Sequence, residues 1–254
     1  MRPPMHASTV LLKPAVVRLS DIATAITSGW QRFLALPGLS IAYSALFAAL
    51  GALLFAVLEW MSIAPISLSL AGGFMLIGPA LLAGFFSLDD SLRAGRKPVA
   101  MDIWKGFRRL PRGGWVVSFV CALLFLIWIT DAGTLYGFMI GRAPAQLAHL
   151  LAADEALQRF VLFSSIMGAV LAFILFAVSA FSIPLIYDGR ADLVSGVVAS
   201  VRAVFGRFGV VMPWACLLAV VIILSTIILP LLLVSLPVMA YASRELYFRV
   251  YPPD

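Results

Sequence analysis

Residues Met101 to Arg112 read MDIWKGFRRLPR and lie between two long apolar runs. Wound as a helix, the segment places Ile103, Trp104, Phe107 and Leu110 on one face, because offsets of one, four and seven return to the same side. Lys105, Arg108, Arg109 and Arg112 fall largely on the other. Such a helix lies in the plane of a membrane surface, apolar side down and cations toward phosphate. Trp104 and Phe107 are therefore expected at the hydrocarbon edge. Lys105, Arg108 and Arg109 are expected to face phosphates or cytoplasm. Two further segments share the pattern. SDIATAITSGWQRFLALPG, residues 20–38, groups Ile22, Ile26, Trp30, Phe33 and Leu34. DLVSGVVASVRAVFGRFG, residues 192–209, groups Val194, Val197, Val201, Val204, Phe205 and Phe208. Each precedes an apolar stretch long enough for a membrane hairpin.

The composition agrees. The chain is 63% hydrophobic and 12% charged, against roughly 45–50% and about 25% for a soluble domain. The expected fold is all-α, a single polytopic membrane domain over residues 20–254 with six spans as three hairpins. The spans cover about 41–61, 64–88, 115–140, 160–187, 210–226 and 229–246. Interfacial helices cover about 20–36, 99–110 and 192–207. Ser20 is placed to cap the first of these. Residues 1–19 form a flexible N-terminus, since Pro3, Pro4 and Pro14 disfavour an early helix. They lack the apolar core of a cleaved signal, so the first span is expected to be its own insertion signal. The last apolar run, Val210 to Ser243, has 34 residues. As one helix it would measure about 51 Å against hydrocarbon about 30 Å thick, so a turn is expected near Ser225 to Pro230. Between the third and fourth spans, residues 144–160 have room for a short surface helix.

Charge sets the expected orientation. Sixteen of the 18 Lys and Arg residues fall on one side of a six-span chain, and only Arg142 and Arg159 on the other. The positive-inside rule puts the sixteen, and both termini, in the cytoplasm. The net charge of +6 then reads as attraction to anionic lipid, not to nucleic acid. Membrane lipids and other integral membrane proteins are the expected partners.

The order of surface helix, span and span repeats three times. Three exit phrases rhyme, LIGPALLAGFF, FSIPLIYDGRAD and VSLPVMAYASREL, each with a proline late in an even-numbered span: Pro79, Pro184 and Pro237. An ancestral duplication and a shared physical constraint both account for the rhyme. Gly78 and Gly84 flank Pro79, whose missing N–H predicts a kink over residues 74–78. Two readings stand for these residues: close helix packing, or a hinge or cavity at a broken helix.

Chemistry is sparse. No H-E-x-x-H, G-x-S-x-G or P-loop is present, and the two histidines, His6 and His149, cannot build a haem or copper site. No cofactor, metal or catalytic set is expected. Cys121 and Cys216 sit in apolar runs and read as free thiols. Asp131 is the one carboxylate well inside a run. It is either a functional group or a residue touching outer headgroups or taking a hydroxyl from Thr130 or Thr134. Asp188 and Asp192 are placed to pair with Arg190, Arg202 or Arg244.

WQRFLALPGLSIAYSALFAALG at 30–51, AGGFMLIGPALLAG at 71–84, FSIPLIYDGRADLVSGVVASVRAV at 181–204 and LPVMAYASRELY at 236–247 together resemble a bacterial family of predicted integral membrane proteins with no established function. The resemblance implies six inner-membrane spans and no catalytic roles. Some members have been labelled cytochrome c oxidase subunit I, a role for which this chain lacks the histidines. The expected function is non-enzymatic, as an accessory, assembly or stabilising component of a membrane complex. The alternative is a small transporter or lipid-handling protein.

Overall fold

The computed structural model describes residues 12–60, 78–139 and 155–253, and among these every regular element is helical. The helices are α1 (Leu19–Ala35), α2 (Pro37–Trp60), α3 (Gly78–Arg93), α4 (Ala100–Arg109), α5 (Arg112–Met139), α6 (Glu155–Ser179), α7 (Ser182–Tyr187), α8 (Leu193–Gly206), α9 (Phe208–Ile227) and α10 (Leu232–Val250). Among the described residues, five stretches are long and apolar enough to cross a membrane: Pro37–Val57, Arg112–Met139, Gln158–Tyr187, Phe208–Ser225 and Leu229–Val250. The expected second span, 64–88, is described only from Gly78, as α3. Its remainder, all but Gly78 of the predicted kink over 74–78, and both histidines lie outside the described residues. So does most of the expected surface helix over 144–160, whose residues from Glu155 belong to α6.

The three short helices α1, α4 and α8 start by one device. The chain is extended at Arg18 and at Val99. A carboxylate three residues on then accepts the free backbone N–H, Asp21 from Arg18 at 2.7 Å and Asp102 from Val99 at 3.0 Å. At α8 the carboxylate is itself the cap, with Asp192 accepting from the Ser195 N–H at 2.8 Å. Each satisfies a donor that a helix start leaves unpaired. Ser20, expected as the first cap, lies inside the first turn of α1 instead, because Asp21 reaches Arg18 and moves the start back. Pro37 then opens α2 and Pro111 precedes α5, positions where a missing N–H costs nothing. α3 and α7 both stop at a left-handed glycine followed by arginine, Gly95 (φ 67°) and Gly189 (φ 69°). Arg96 N–H reaches back to Ser91 O and Arg190 N–H to Leu185 O, the six-to-one bond of a Schellman stop.

The packing closes a ring. α4 lies along α3, α8 along α7, and α1 along α10. Each surface helix therefore covers the returning helix of the preceding unit, and the first covers the last. Contact is close. A Cβ on Gly29 of α1 would sit 2.6 Å from the Val238 carbonyl oxygen, and one on Gly106 of α4 would overlap the Ala83 carbonyl. Among the described residues α5 packs on α6 and α9 packs on α10. Most of the expected hairpin partner of α2 lies outside them, and within them α2 packs chiefly on α10. Tyr241 of α10 explains this: its hydroxyl meets the Ser40 hydroxyl of α2 at 2.9 Å, and its ring lies edge-on to Phe85 of α3.

Two interruptions shape the returning helices. α6 gives way to α7 at Ala180 and Phe181. Pro184 lacks the N–H that would bond to Ala180. The buried Ser200 hydroxyl of α8 enters the gap, donating to Ala177 O at 2.7 Å and accepting from Phe181 N–H at 3.1 Å. The last apolar run turns through a short 3-10 helix at Leu229–Leu231, clasped by the Ser225 and Ser235 hydroxyls at 2.6 Å. Pro237 sits within a continuous α10. Cys121 and Cys216 are both free.

Gly106→Ala should push α4 off α3 and lower thermal stability by about 1–3 kcal/mol, roughly 3–10 °C in detergent. Gly38→Ala, whose new Cβ meets nothing within 4 Å, should be neutral in the same melting assay.

Candidate functional site

The ends of the returning helices carry charge, and the ring brings those charges together. Arg244 of α10 is the centre. It is only 1% exposed. Its Nη2 donates to Asp188 Oδ1 at 2.6 Å and to Asp90 Oδ1 at 3.1 Å, so one guanidinium joins the ends of α3, α7 and α10. Phe86 and Phe248 lie 4.6 and 4.8 Å from its central carbon, and Tyr187 and Tyr247 lie 5.3 and 5.5 Å away. Those ring faces supply the negative side of their quadrupoles to a cation that water does not reach. The Tyr247 hydroxyl donates to Asp188 Oδ2 at 2.9 Å, fixing the second carboxylate oxygen. Arg190 donates to the carbonyls of Tyr251 and Pro252, both at 2.7 Å, tying the chain beyond α10 to the loop after α7.

A second group of charges joins α1 to the same face. Asp89 is fully buried and takes Arg32 of α1 and Arg93 Nε at 2.8 Å. Glu245 takes Arg93 at 2.9 Å and Arg32 at 3.4 Å. Arg249 reaches Asp21 at 2.8 Å. Burial pushes the Asp90 carboxyl up from the ordinary aspartate range, with the Arg244 guanidinium pulling the other way. Asp102 is held below that range, first by Lys105 and then by the Val99 N–H.

Arg109 of α4 belongs to this network. It bonds Asp90 at 3.3 Å and stacks over Tyr187 at 5.5 Å, so it is a structural pairing residue and not a free surface cation. Lys105 bonds Asp102 at 2.9 Å, and Arg108 is exposed. Trp104 is 60% exposed, whereas Phe107 is half-buried, edge-on to Tyr43 of α2, because α4 rests on protein along one side. Gly84 supports that contact: the Tyr43 ring lies where its Cβ would be, and the Tyr43 hydroxyl donates to Leu81 O at 2.8 Å. Gly78 and Pro79 open the described part of α3. Pro184 borders a cavity of ≈150 Å³ walled by Phe181, Trp214, Leu218, Leu236 and Met239, beside the α6–α7 interruption. Pro237 is buried in α10.

Asp188 pairs with Arg244, as its spacing allowed, whereas Asp192 caps α8. Asp131 is exposed on α5, far from this network, and the Thr130 and Thr134 hydroxyls donate to Leu126 O and Thr130 O instead of to it. Arg32, Asp89, Arg93, Glu245 and Arg249 carried no signal of their own in the sequence. The available cue was position, since the exit phrases all run into charge. Among the described residues no group of three or more His, Cys, Asp or Glu is placed to hold a metal ion.

Residues 66–188 match the model of DUF2189, a family described as predicted integral membrane proteins. With five apolar helices of spanning length, that decides the class. The chain is an integral membrane protein. The DUF2189 match runs from before α3 to the end of α7, just under half of the chain and less than the resemblance over 30–247 implied. Asp89, Asp90 and Asp188 fall inside it, and their partners Arg32 and Arg244 fall outside. No curated protein and no solved structure matches the chain.

Arg244→Met should take the shared cation from the half-buried Asp90 and Asp188, leaving them only Arg109 and the Tyr247 hydroxyl, and cost about 3 kcal/mol, the low end for a broken buried pair, in detergent unfolding, whereas Arg159→Gln, at an exposed pair, should change stability by about 1 kcal/mol at most. The start of α4 should also be acid-sensitive. The lowered Asp102 carboxyl contributes stability well above the ordinary value of 3.8 and loses it as pH falls below that through its folded value. Amide exchange at residues 99–103, corrected for intrinsic rate, should rise over that window in the wild type and show no such step in Asp102→Asn.

Proposed function

We propose that this protein is a non-enzymatic component of the bacterial inner membrane, with six spans and both termini cytoplasmic, that assembles with or stabilises another membrane protein complex. One observation carries the reading. The ionisable groups at the ends of the returning helices are spent on each other, locking the three units into one block. The long helices meanwhile keep broad apolar sides outward: Phe119 and Leu126 on α5, Leu162 and Ile166 on α6, Ile223 and Ile227 on α9. A rigid block with a wide apolar perimeter suits lateral packing against other spans, where van der Waals contact is the main attraction. The exposed Trp30, Trp104 and Arg108 suit attachment to an anionic leaflet.

A second reading, lipid handling, is favoured by the apolar cavity beside Pro184 and the α6–α7 interruption. Photo-crosslinking in intact cells separates the two, with the reactive side chain placed at Phe119, Ile166 or Ile223, and at the buried Val117 as an inward control. The assembly reading expects a discrete membrane-protein adduct from at least one outward position and none from Val117. Lipid adducts alone at every outward position, with a chain that always extracts by itself, would overturn it. Lipid adducts concentrated at the cavity residue Leu218 would favour the second reading.

A further inference from the structure

At the end of the α5–α6 pair remote from the ionic network lies a groove of ≈370 Å³. Trp128, Asp131, Thr134 and Phe138 of α5 and Phe163 and Met167 of α6 line it. Asp131 is exposed there and makes no hydrogen bond or ion pair among the described residues. Trp128 forms one wall: the residue is 5% exposed and its ring edge packs against Gly168 of α6. A carboxylate can only accept. The groove therefore presents a negatively charged acceptor, unpaired among the described residues, between apolar walls.

Depth narrows the occupant. Asp131 lies 19 residues beyond Arg112, about 28 Å along α5, in hydrocarbon about 30 Å thick. With Arg112 at one interface, Asp131 comes close to the headgroups of the other. A carboxylate at this depth needs a cationic partner, and the medium supplies one.

We propose that this groove binds the headgroup of a zwitterionic phospholipid carrying a primary ammonium. The ammonium donates to the Asp131 carboxylate. An acyl chain of the same lipid lies along Phe138, Phe163 and Met167. The chemistry sets a selectivity. A quaternary ammonium keeps the charge and has no N–H to donate, and a glycerol headgroup has no cation at all. This site is independent of whether the protein assembles with a complex.

Native mass spectrometry of the full chain, released from detergent with added lipids, tests it. The probes are phosphatidylethanolamine, its N-methyl and N,N-dimethyl forms, phosphatidylcholine and phosphatidylglycerol. Retention should fall stepwise along the methyl series, by about tenfold between the first and phosphatidylcholine, and phosphatidylglycerol should be held no better than phosphatidylcholine. This arm needs no variant. Asp131→Asn should abolish the preference. It should melt within a few degrees of the wild type, because Asp131 is exposed and is not bonded within the described protein. Equal retention of phosphatidylethanolamine and phosphatidylcholine by the wild type would overturn the proposal. So would a preference that survives in Asp131→Asn, or a groove filled by a basic side chain of a partner protein.

Discussion

The Arg244 guanidinium sits where water does not reach, and the geometry around it is set by what that requires. Removing such a charge from water costs several kcal/mol unless it is paired and bonded in place. The partners come from helices that the sequence holds far apart: Asp90 is 154 residues away and Asp188 is 56. Both can be present only if α3, α7 and α10 end at the same level on the same face. Two of its nitrogens, Nε and Nη1, have no hydrogen-bond partner among the described residues, and four aromatic rings stand around the group instead. This arrangement selects one registry of the three units more than it adds net stability, because a well-packed apolar replacement would avoid the desolvation cost.

Around that centre the core divides into three apolar clusters, and each is a seam between units. Phe33 and Tyr43 meet Val238 and Tyr241 across the first. Ala83 and Phe86 meet Leu110, Val117 and Ile183 across the second. Phe181 and Leu185 meet Ala203, Trp214 and Leu246 across the third. The units are held by what lies between them. Gly29 and Gly106 let the surface helices sink onto the neighbouring unit, and Ser200 replaces a helical hydrogen bond in the unit before its own.

The elements with a local physical cause were legible in the sequence. The amphipathic periods of residues 20–36, 99–110 and 192–207 mark helices, and the length of the last apolar run demands the turn found at Leu229–Leu231. Pairings across long separations were not legible. The period of α4 puts Phe107 and Trp104 on one face, but a membrane surface and the side of α2 are both apolar, and only the fold says that Phe107 takes the second. Likewise Arg109 reads like Arg108 until Asp90 and Tyr187 arrive from elsewhere. Asp131 stood out because it breaks a hydrophobic run. The groove around it did not, since half of it belongs to α6. The exit phrases signalled that the three ends are alike, without signalling that they meet.

The closure of the ring through α1 on α10 has a consequence for the order of biosynthesis. α4 finds its seat on α3 as soon as it is made, and α8 finds its own on α7, both within about 20 residues of chain. α1 is made first, and its seat is made last. From the moment it leaves the ribosome until Leu232–Val250 has been inserted, the groove that receives Gly29 and Phe33 does not exist. Until then this helix has only the bilayer surface and, once α3 is made, the Arg32–Asp89 pair to hold it. The membrane therefore acts as a holding station for the first unit, and its attachment to the final helix is the step that converts a string of inserted segments into one body.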